Sequence, residues 1–375
     1  MTSELVFDSI PHPGEMLGDY LEDLGWSQSE LARRAGLTAK TVSEIRNGKA
    51  PISPPTALAL ESVLGRPAHF WLGLQRVHDE ALARAARSAL SVSADWHSWA
   101  KAFPLKELRA LNFLDSSGDG GDDLTQILRF LGVSSPDSWD AVWRSSAVAF
   151  RQHGSRQRPS VAAWVRASEL EAIDLERQLE VAPYSKDALE NAVPLFRQLT
   201  TMGVSNESFG HLQTLAAACG VIVVIVPQFA GSGVSGCARW LTRSKAMIGL
   251  TFRYKTDDQL WFSFFHELGH ILLHRRTLSF VLEDTDDLRR LDGVSPEVRR
   301  QEEEANRFAA DTLIPPAALA RLLDECPRPN ASEVLAFAEQ VGVSPGIVVG
   351  RLQHDGILPY SVHYGLKQEI GLGVK

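Results

Sequence analysis

The stretch His266-Glu267-Leu268-Gly269-His270 places two imidazoles one helical turn apart with a carboxylate beside the first. Residues i and i+4 share a helix face, so both rings can point at one Zn2+ held about 2.0–2.1 Å from each nitrogen. Glu267 then lies within reach of a water on that ion, where zinc peptidases need a general base. The flanks predict a buried helix: Trp261-Phe262-Ser263-Phe264-Phe265 leads in and Ile271-Leu272-Leu273-His274 leads out. Unpaired His and Glu are costly to desolvate in such a segment, and a metal ion offsets that cost.

A catalytic zinc site usually takes three protein ligands and leaves a position open for water. The next candidate lies downstream, in Gln301-Glu302-Glu303-Glu304-Ala305-Asn306-Arg307-Phe308-Ala309, with Ala305, Phe308, Ala309 and Leu313 at helical spacing and Pro315-Pro316 closing the segment. Glu302 and Asn306 stand at i and i+4 on this amphipathic helix. We read Glu302 as the third ligand and Asn306 as a hydrogen-bonding support for a ligand. Glu303 and Glu304 read as a solvated charged face. His274, one further turn beyond His270, could reach the cleft as a catalytic polariser of substrate or as an alternative ligand.

Together these segments resemble the ImmA/IrrE metallopeptidase family: Phe265-His266-Glu267-Leu268-Gly269-His270-Ile271-Leu272-Leu273-His274, then Glu302-Glu303-Glu304-Ala305-Asn306-Arg307-Phe308-Ala309-Ala310, then Leu313-Ile314-Pro315. The resemblance supports Glu302 as ligand and implies a zinc cofactor. It extends to Gly220-Val221-Ile222-Val223-Val224-Ile225-Val226-Pro227, like the family's buried strand, and to a helical tail from Val343 to Leu352. It covers roughly the last 170 residues.

A second informative segment lies near the N-terminus. Residues 27–48 read as helix, tight turn at Gly36, helix, with Leu31, Ala32, Ala35, Leu37, Val42 and Ile45 as the apolar set that locks the pair. Lys40, Thr41, Glu44 and Arg46 are left on the outward face of the second helix. A plain helical hairpin would share the helix-Gly-helix outline, but Gln28, Gly36 and Asn47-Gly48 together resemble phage-repressor-type helix-turn-helix domains. By that resemblance Ala39, Lys40 and Glu44 face base edges, while Gln28 and Asn47 contact phosphates. The flanks, His12-Pro13-Gly14-Glu15-Met16-Leu17 and Phe70-Trp71-Leu72-Gly73-Leu74-Gln75, resemble HigA-type antitoxins of toxin–antitoxin modules, which implies a HigB-type toxin partner, a homodimer and a palindromic operator.

Charge agrees with DNA as a partner. The chain carries a formal charge of −8, yet residues 27–50 hold five cations, Arg33, Arg34, Lys40, Arg46 and Lys49, against Glu30 and Glu44. Binding through that basic segment alone should be site-restricted and salt-sensitive. At 375 residues and 44% hydrophobic content, two or three domains are expected. The expected order is an all-α helix-turn-helix domain over 1–86, a helical middle region over 87–200, and an α+β zincin-like peptidase domain over 201–375, in which strands at 221–226 and 246–252 back the zinc helix.

No run of about 18 apolar residues occurs and Met1-Thr2-Ser3-Glu4 is not a leader-like start, so a cytoplasmic protein without a membrane span is expected. Cys219, Cys237 and Cys326 are too few and scattered for a disulfide framework and read as packing residues, with a zinc-capping thiolate the alternative for Cys237. In the middle region Trp96, Trp99, Trp139, Trp143 and Trp164 read as core, with a docking surface as the alternative. Exposed loops are expected at 116–123 and 152–159. Two functions compete: a DNA-binding autorepressor of antitoxin type carrying a zinc peptidase, or a site-specific zinc endopeptidase that cleaves a repressor or partner protein and uses the helix-turn-helix for targeting.

Overall fold

A computed structural model describes residues 12–91, 94–116, 121–145, 158–251, 255–274, 279–282 and 296–371. The chain divides into two units, Met1–His97 and Ser98–Lys375. The first is all helical: α1 (Pro13–Asp23), α2 (Gln28–Ala35), α3 (Ala39–Arg46), α4 (Pro54–Leu64) and α5 (Ala68–Ser91), followed by α6 (Ala94–Ala100). Each early helix starts at a residue able to satisfy its orphan backbone N–H groups. The Nδ1 of His12 accepts from the Gly14 N–H while Glu15 reaches back to the His12 N–H, Ser27 Oγ accepts from the Glu30 N–H, and Thr38 Oγ1 from the Thr41 N–H. Gly36 ends α2 in the left-handed region at φ 65°, where a side chain would be strained. Leu31, Ala32, Val42, Ile45 and Trp71 are buried in one core with Leu17, Leu21 and Leu60. Gly14 permits α1 to cross α3 closely, since a Cβ there would stand 2.0 Å from the Ile45 carbonyl oxygen.

The second unit continues with α7 (Leu105–Ala110), α8 (Asp123–Leu131), α9 (Pro136–Ser145), α10 (Arg158–Glu176), α11 (Lys186–Leu199) and α12 (Asn206–Ala217). A sheet follows: β1 (Val221–Ile225), β2 (Val234–Trp240) and β3 (Ala246–Leu250), then α13 (Asp257–Leu273), β4 (Ser279–Leu282), and α14 (Pro296–Leu313), α15 (Pro316–Glu325), α16 (Ala331–Val341) and α17 (Pro345–His354). The strand order is β1-β3-β2-β4, with β1 and β3 parallel and the other pairings antiparallel.

The unbroken apolar run of β1 is explained by burial on both faces. Val221 and Val223, with Ile248 and Ala238, pack toward the cluster containing Phe264, Phe265 and Leu268 of α13. Ile222 and Val224, with Met247 and Cys237, pack toward Val161, Trp164 and Val165 of α10. The sheet therefore has α13 on one side and a helix of the expected middle region on the other, and the Trp164 indole N–H donates to the Val226 carbonyl at 3.2 Å. Trp164 and Trp139 are buried and Trp99 is partly buried against Phe103 and Trp139, in line with a core role. The side chain of Trp143, residues 117–120 of the loop expected at 116–123 and residues 152–157 of the second expected loop lie outside the described residues; α10 already begins at Arg158.

α13 enters its N-terminal turn through two buried carboxylates. Asp257 accepts from the Ser344 hydroxyl and from the Gln368 N–H at 2.9 Å, while Asp258 pairs with Lys367 Nζ at 2.7 Å. Acidic groups at a helix N-terminus complement its dipole. Gly346 and Gly350 of α17 leave the space those carboxylates occupy, as a Cβ at either would stand 2.3 and 2.5 Å from an aspartate oxygen. Among the described residues no single helix is long and apolar enough to cross a membrane; α16 and α17 pass that test only as a pair bent by 112°, and their apolar residues Val334, Phe337, Val348 and Leu352 are buried in the core.

Candidate metal centre and nucleic-acid interface

α13 and α14 lie side by side in opposite directions: His266 meets Asn306, while the later His270 meets the earlier Glu302. Gly269 allows the approach, because a Cβ there would press on Phe308 at 3.1 Å and on the Ala305 Cα at 3.3 Å. His266, His270 and Glu302 bring one donor atom each within 4.8 Å of the others. The two Nε2 atoms are 2.9 Å apart, and Glu302 Oε2 stands 3.2 Å from that of His266 and 3.5 Å from that of His270. Donors placed about 2.1 Å from a shared tetrahedral centre would be about 3.4 Å apart, so two imidazoles and a carboxylate converge here at the spacing zinc requires.

All three groups are buried or nearly so, and their titration shows the competition between burial and pairing. Burial favours the neutral form of Glu302, but hydrogen bonds to His266 and His270 and their charge outweigh it and bring its pKa down to about 2. Burial lowers the His266 pKa, and Glu302, together with Glu267 and Asn306, more than offsets this, so the net shift is upward; for His270 burial prevails and the net shift is downward.

Glu267 is fully buried on the same helix, against β2. A Cβ at Gly236 would stand 3.1 Å from Glu267 Cγ and 3.2 Å from its Oε1, so glycine at this position makes room for the carboxylate. Gly236 was not among the residues expected from sequence; its role depends on the packing of β2 against α13, which no local pattern announces. Cys237, the next residue, packs with Met247 on the opposite face of the sheet. Burial, and then the charge of Glu267, raises its pKa well above that of a free thiol. The zinc-capping thiolate considered for Cys237 is therefore overturned: strand alternation directs it away from Gly236 and the metal helix.

His274 corrects a second expectation. Its Nδ1 stands 3.0 Å from His270 Nδ1, the nitrogen on the far side of that ring from Glu302, and its Nε2 stands 3.0 Å from Glu304 Oε2. Both ring nitrogens are engaged, which leaves none to polarise a substrate or to serve as an alternative ligand. Glu304, expected to be part of a solvated face, is half-buried and holds His274, whereas Glu303 is exposed. Asn306 Oδ1 lies 2.8 Å from His266 Nδ1.

In the first unit, α3 presents Ala39, Lys40, Arg46 and Asn47 as exposed residues, with Thr41 and Glu44 half-buried beside them and Gln28 half-buried at the start of α2. Lys40 Nζ is 3.8 Å from Glu44 Oε1, Arg46 is 3.7 Å from Glu22, and Asn47 donates to Ser43 Oγ at 3.3 Å. Glu30 takes both Arg33 and Arg34, and Arg34 also stacks over Trp26. The basic segment thus neutralises part of its charge internally, on α2 more than on α3.

Comparison with known proteins bears on two stretches of the chain. Residues 17–71 match the helix-turn-helix family and residues 222–353 match the IrrE N-terminal-like domain family. Over 65 residues the chain is 35% identical to the HTH-type transcriptional regulator YddM of Escherichia coli strain K12, a match covering 17% of this chain and 69% of that protein. It is 37% identical over 67 residues to the antitoxin HigA-1 of Vibrio cholerae, covering 18% and 63%. Among solved structures, the Pseudomonas aeruginosa antitoxin HigA with higBA promoter shares 32% identity at a TM-score of 0.21, covering 22% of this chain and 90% of that one. The chain belongs to the helix-turn-helix family through its N-terminal unit, and it carries an IrrE N-terminal-like domain in its second. The curated relatives are matched over 61% to 69% of their own length.

Proposed function

We infer that this protein is a DNA-binding transcriptional regulator of antitoxin type, an autorepressor within a toxin–antitoxin module, that carries a zinc-dependent peptidase. It acts in the cytoplasm as a homodimer on a palindromic operator, with a HigB-type toxin as the expected partner. The observation that carries this reading is the pairing in one chain of a helix-turn-helix whose second helix presents Lys40 and Arg46 with a buried cluster of His266, His270 and Glu302. Similarity to the HigA-type antitoxins supplies the biological setting.

In this reading His266, His270 and Glu302 hold a zinc ion. Bound there, zinc would supply Lewis-acid polarisation of a carbonyl and lower the pKa of water toward neutrality. Glu267, held against Gly236, would act as the base that takes a proton from an attacking water and returns it to the departing amine as the peptide C–N bond breaks. Glu302, with its pKa brought down to about 2, stays ionised and available as a ligand throughout the physiological range. Asn306 holds the His266 ring through Nδ1. The substrate is a specific protein, a repressor or partner.

One observation favours the second reading, a peptidase first, which the helix-turn-helix delivers to its target: Glu267 is buried beside the ligands and no ligand role requires it. A Glu267→Gln chain that retains its zinc separates the two. Repression and toxin neutralisation that survive this change support the antitoxin reading, and loss of the regulatory response supports the peptidase-first reading. In both, fragments of the substrate appear with the wild type alone; identical fragments from the two proteins rule out Glu267 as the base.

A further inference from the structure

Metal-ligating histidines are oriented by whatever accepts the proton on their other nitrogen. Here the two ligands differ in that respect. With zinc held by the Nε2 atoms of His266 and His270, each Nδ1 would carry the proton. His266 Nδ1–H donates to the amide oxygen of Asn306 at 2.8 Å. His270 Nδ1–H, 3.0 Å from His274 Nδ1, donates to that nitrogen, which places the His274 proton on Nε2, from which it donates to Glu304 Oε2 at 3.0 Å. Every nitrogen is used once and no two donors face each other. The chain runs outward from a buried ligand: the His274 side chain is 4% exposed and that of Glu304 is 43% exposed, with Arg300 Nε 3.9 Å from its other oxygen.

We propose that His274 and Glu304 form a positioning pair for His270, a carboxylate–imidazole relay that fixes the tautomer and ring orientation of this one ligand and raises its basicity. The proposal rests on His266, His270 and Glu302 being the zinc ligands. It assigns His274 a role behind the ligand set, not at the substrate, and gives Glu304 a function that its place in a run of three glutamates conceals. The two outer supports are unequal: a neutral amide behind His266, and an imidazole backed by a carboxylate behind His270.

The test measures zinc affinity by competition with a chromophoric chelator and records the visible spectrum of the cobalt(II)-substituted full-length protein. His274→Ala should weaken zinc binding by about 10- to 100-fold and shift the cobalt bands. His274→Asn, whose amide oxygen can accept from His270, should recover part of the affinity. Glu304→Gln, at the surface, should weaken binding in the same direction without disturbing the core. Leu272→Ala removes a neighbouring buried side chain from the same helix that has no part in the hydrogen bonds of either ring, so it should leave the cobalt bands in place. Affinity within twofold of wild type for His274→Ala and Glu304→Gln, with unshifted bands, overturns the relay. Wild type that binds no more zinc than His270→Ala overturns the ligand assignment beneath it.

Discussion

Gly236 and Glu267 show how little space the site leaves to a single residue. A methyl group at Gly236 would sit 3.1 Å from Glu267 Cγ and 3.3 Å from the Gly249 carbonyl oxygen, so something must move by a few tenths of an ångström. The backbone of β3 is fixed in the sheet, and the side chain of Glu267 is the part able to turn aside. None of the three proposed ligands supplies one of the three atoms nearest to that methyl group. Gly236→Ala should therefore keep its zinc while peptide cleavage falls about tenfold or more, because small misplacements of a reacting group are expensive. Zinc content and cleavage rate measured on the same preparation check this, and a variant that loses metal in step with activity would place Gly236 in the structure of the centre instead. No feature of the sequence near Gly236 points to this contact. The His266–His270 spacing was legible because i and i+4 share a helix face whatever surrounds them. Gly236 was not, because its neighbour is set by the packing of a strand on a helix.

At the level of elements, α14 explains what could and could not be foreseen. Glu302 and Asn306 are one helical turn apart, so their common face could be read from spacing alone, and both meet the histidines of α13. Glu304 lies two residues from each, on another side of the helix, and meets His274 only because α13 runs one turn further past it. The continuous apolar run of β1 identified a buried strand, but which helix covered its second face, α10, was a long-range fact. In the first unit the apolar spacing of α2 and α3 placed the core directly, leaving Lys40 and Arg46 outside it. Their carboxylate neighbours, Glu44 and Glu22, stand 3.8 and 3.7 Å away at the surface, where such pairs are weak and phosphate can replace them. Replacing both cations by alanine should weaken operator binding by about tenfold or more and flatten the dependence of log affinity on log salt by about one for Arg46, and by about two where Lys40 meets a phosphate in place of a base edge. Gel shifts across a salt series read both quantities, and an unchanged slope would mean α3 does not carry the phosphate contacts.

At the scale of the whole molecule, each unit has a core of its own, and the proposed metal ligands all belong to the second. Zinc should therefore stabilise residues 98–375 and leave 1–97 untouched. A free concentration a thousandfold above the dissociation constant is worth about 4 kcal/mol, or about 7 °C in the unfolding of a unit this size. Calorimetry of the full chain with zinc and with chelator should show one transition that moves and one that does not; two transitions moving together would show that the units unfold as one.

The proposed ligands also come from two stretches of chain, His266 and His270 on α13 and Glu302 about 30 residues later on α14. An ion gripping all three ties off the intervening segment much as a covalent cross-link would, and it does so reversibly. Metal supply then becomes an input to folding as well as to chemistry. If zinc is that ion, residues 98–375 should loosen under scarcity and become open to proteolysis while residues 1–97 keep their fold, a difference that limited proteolysis with and without chelator would read.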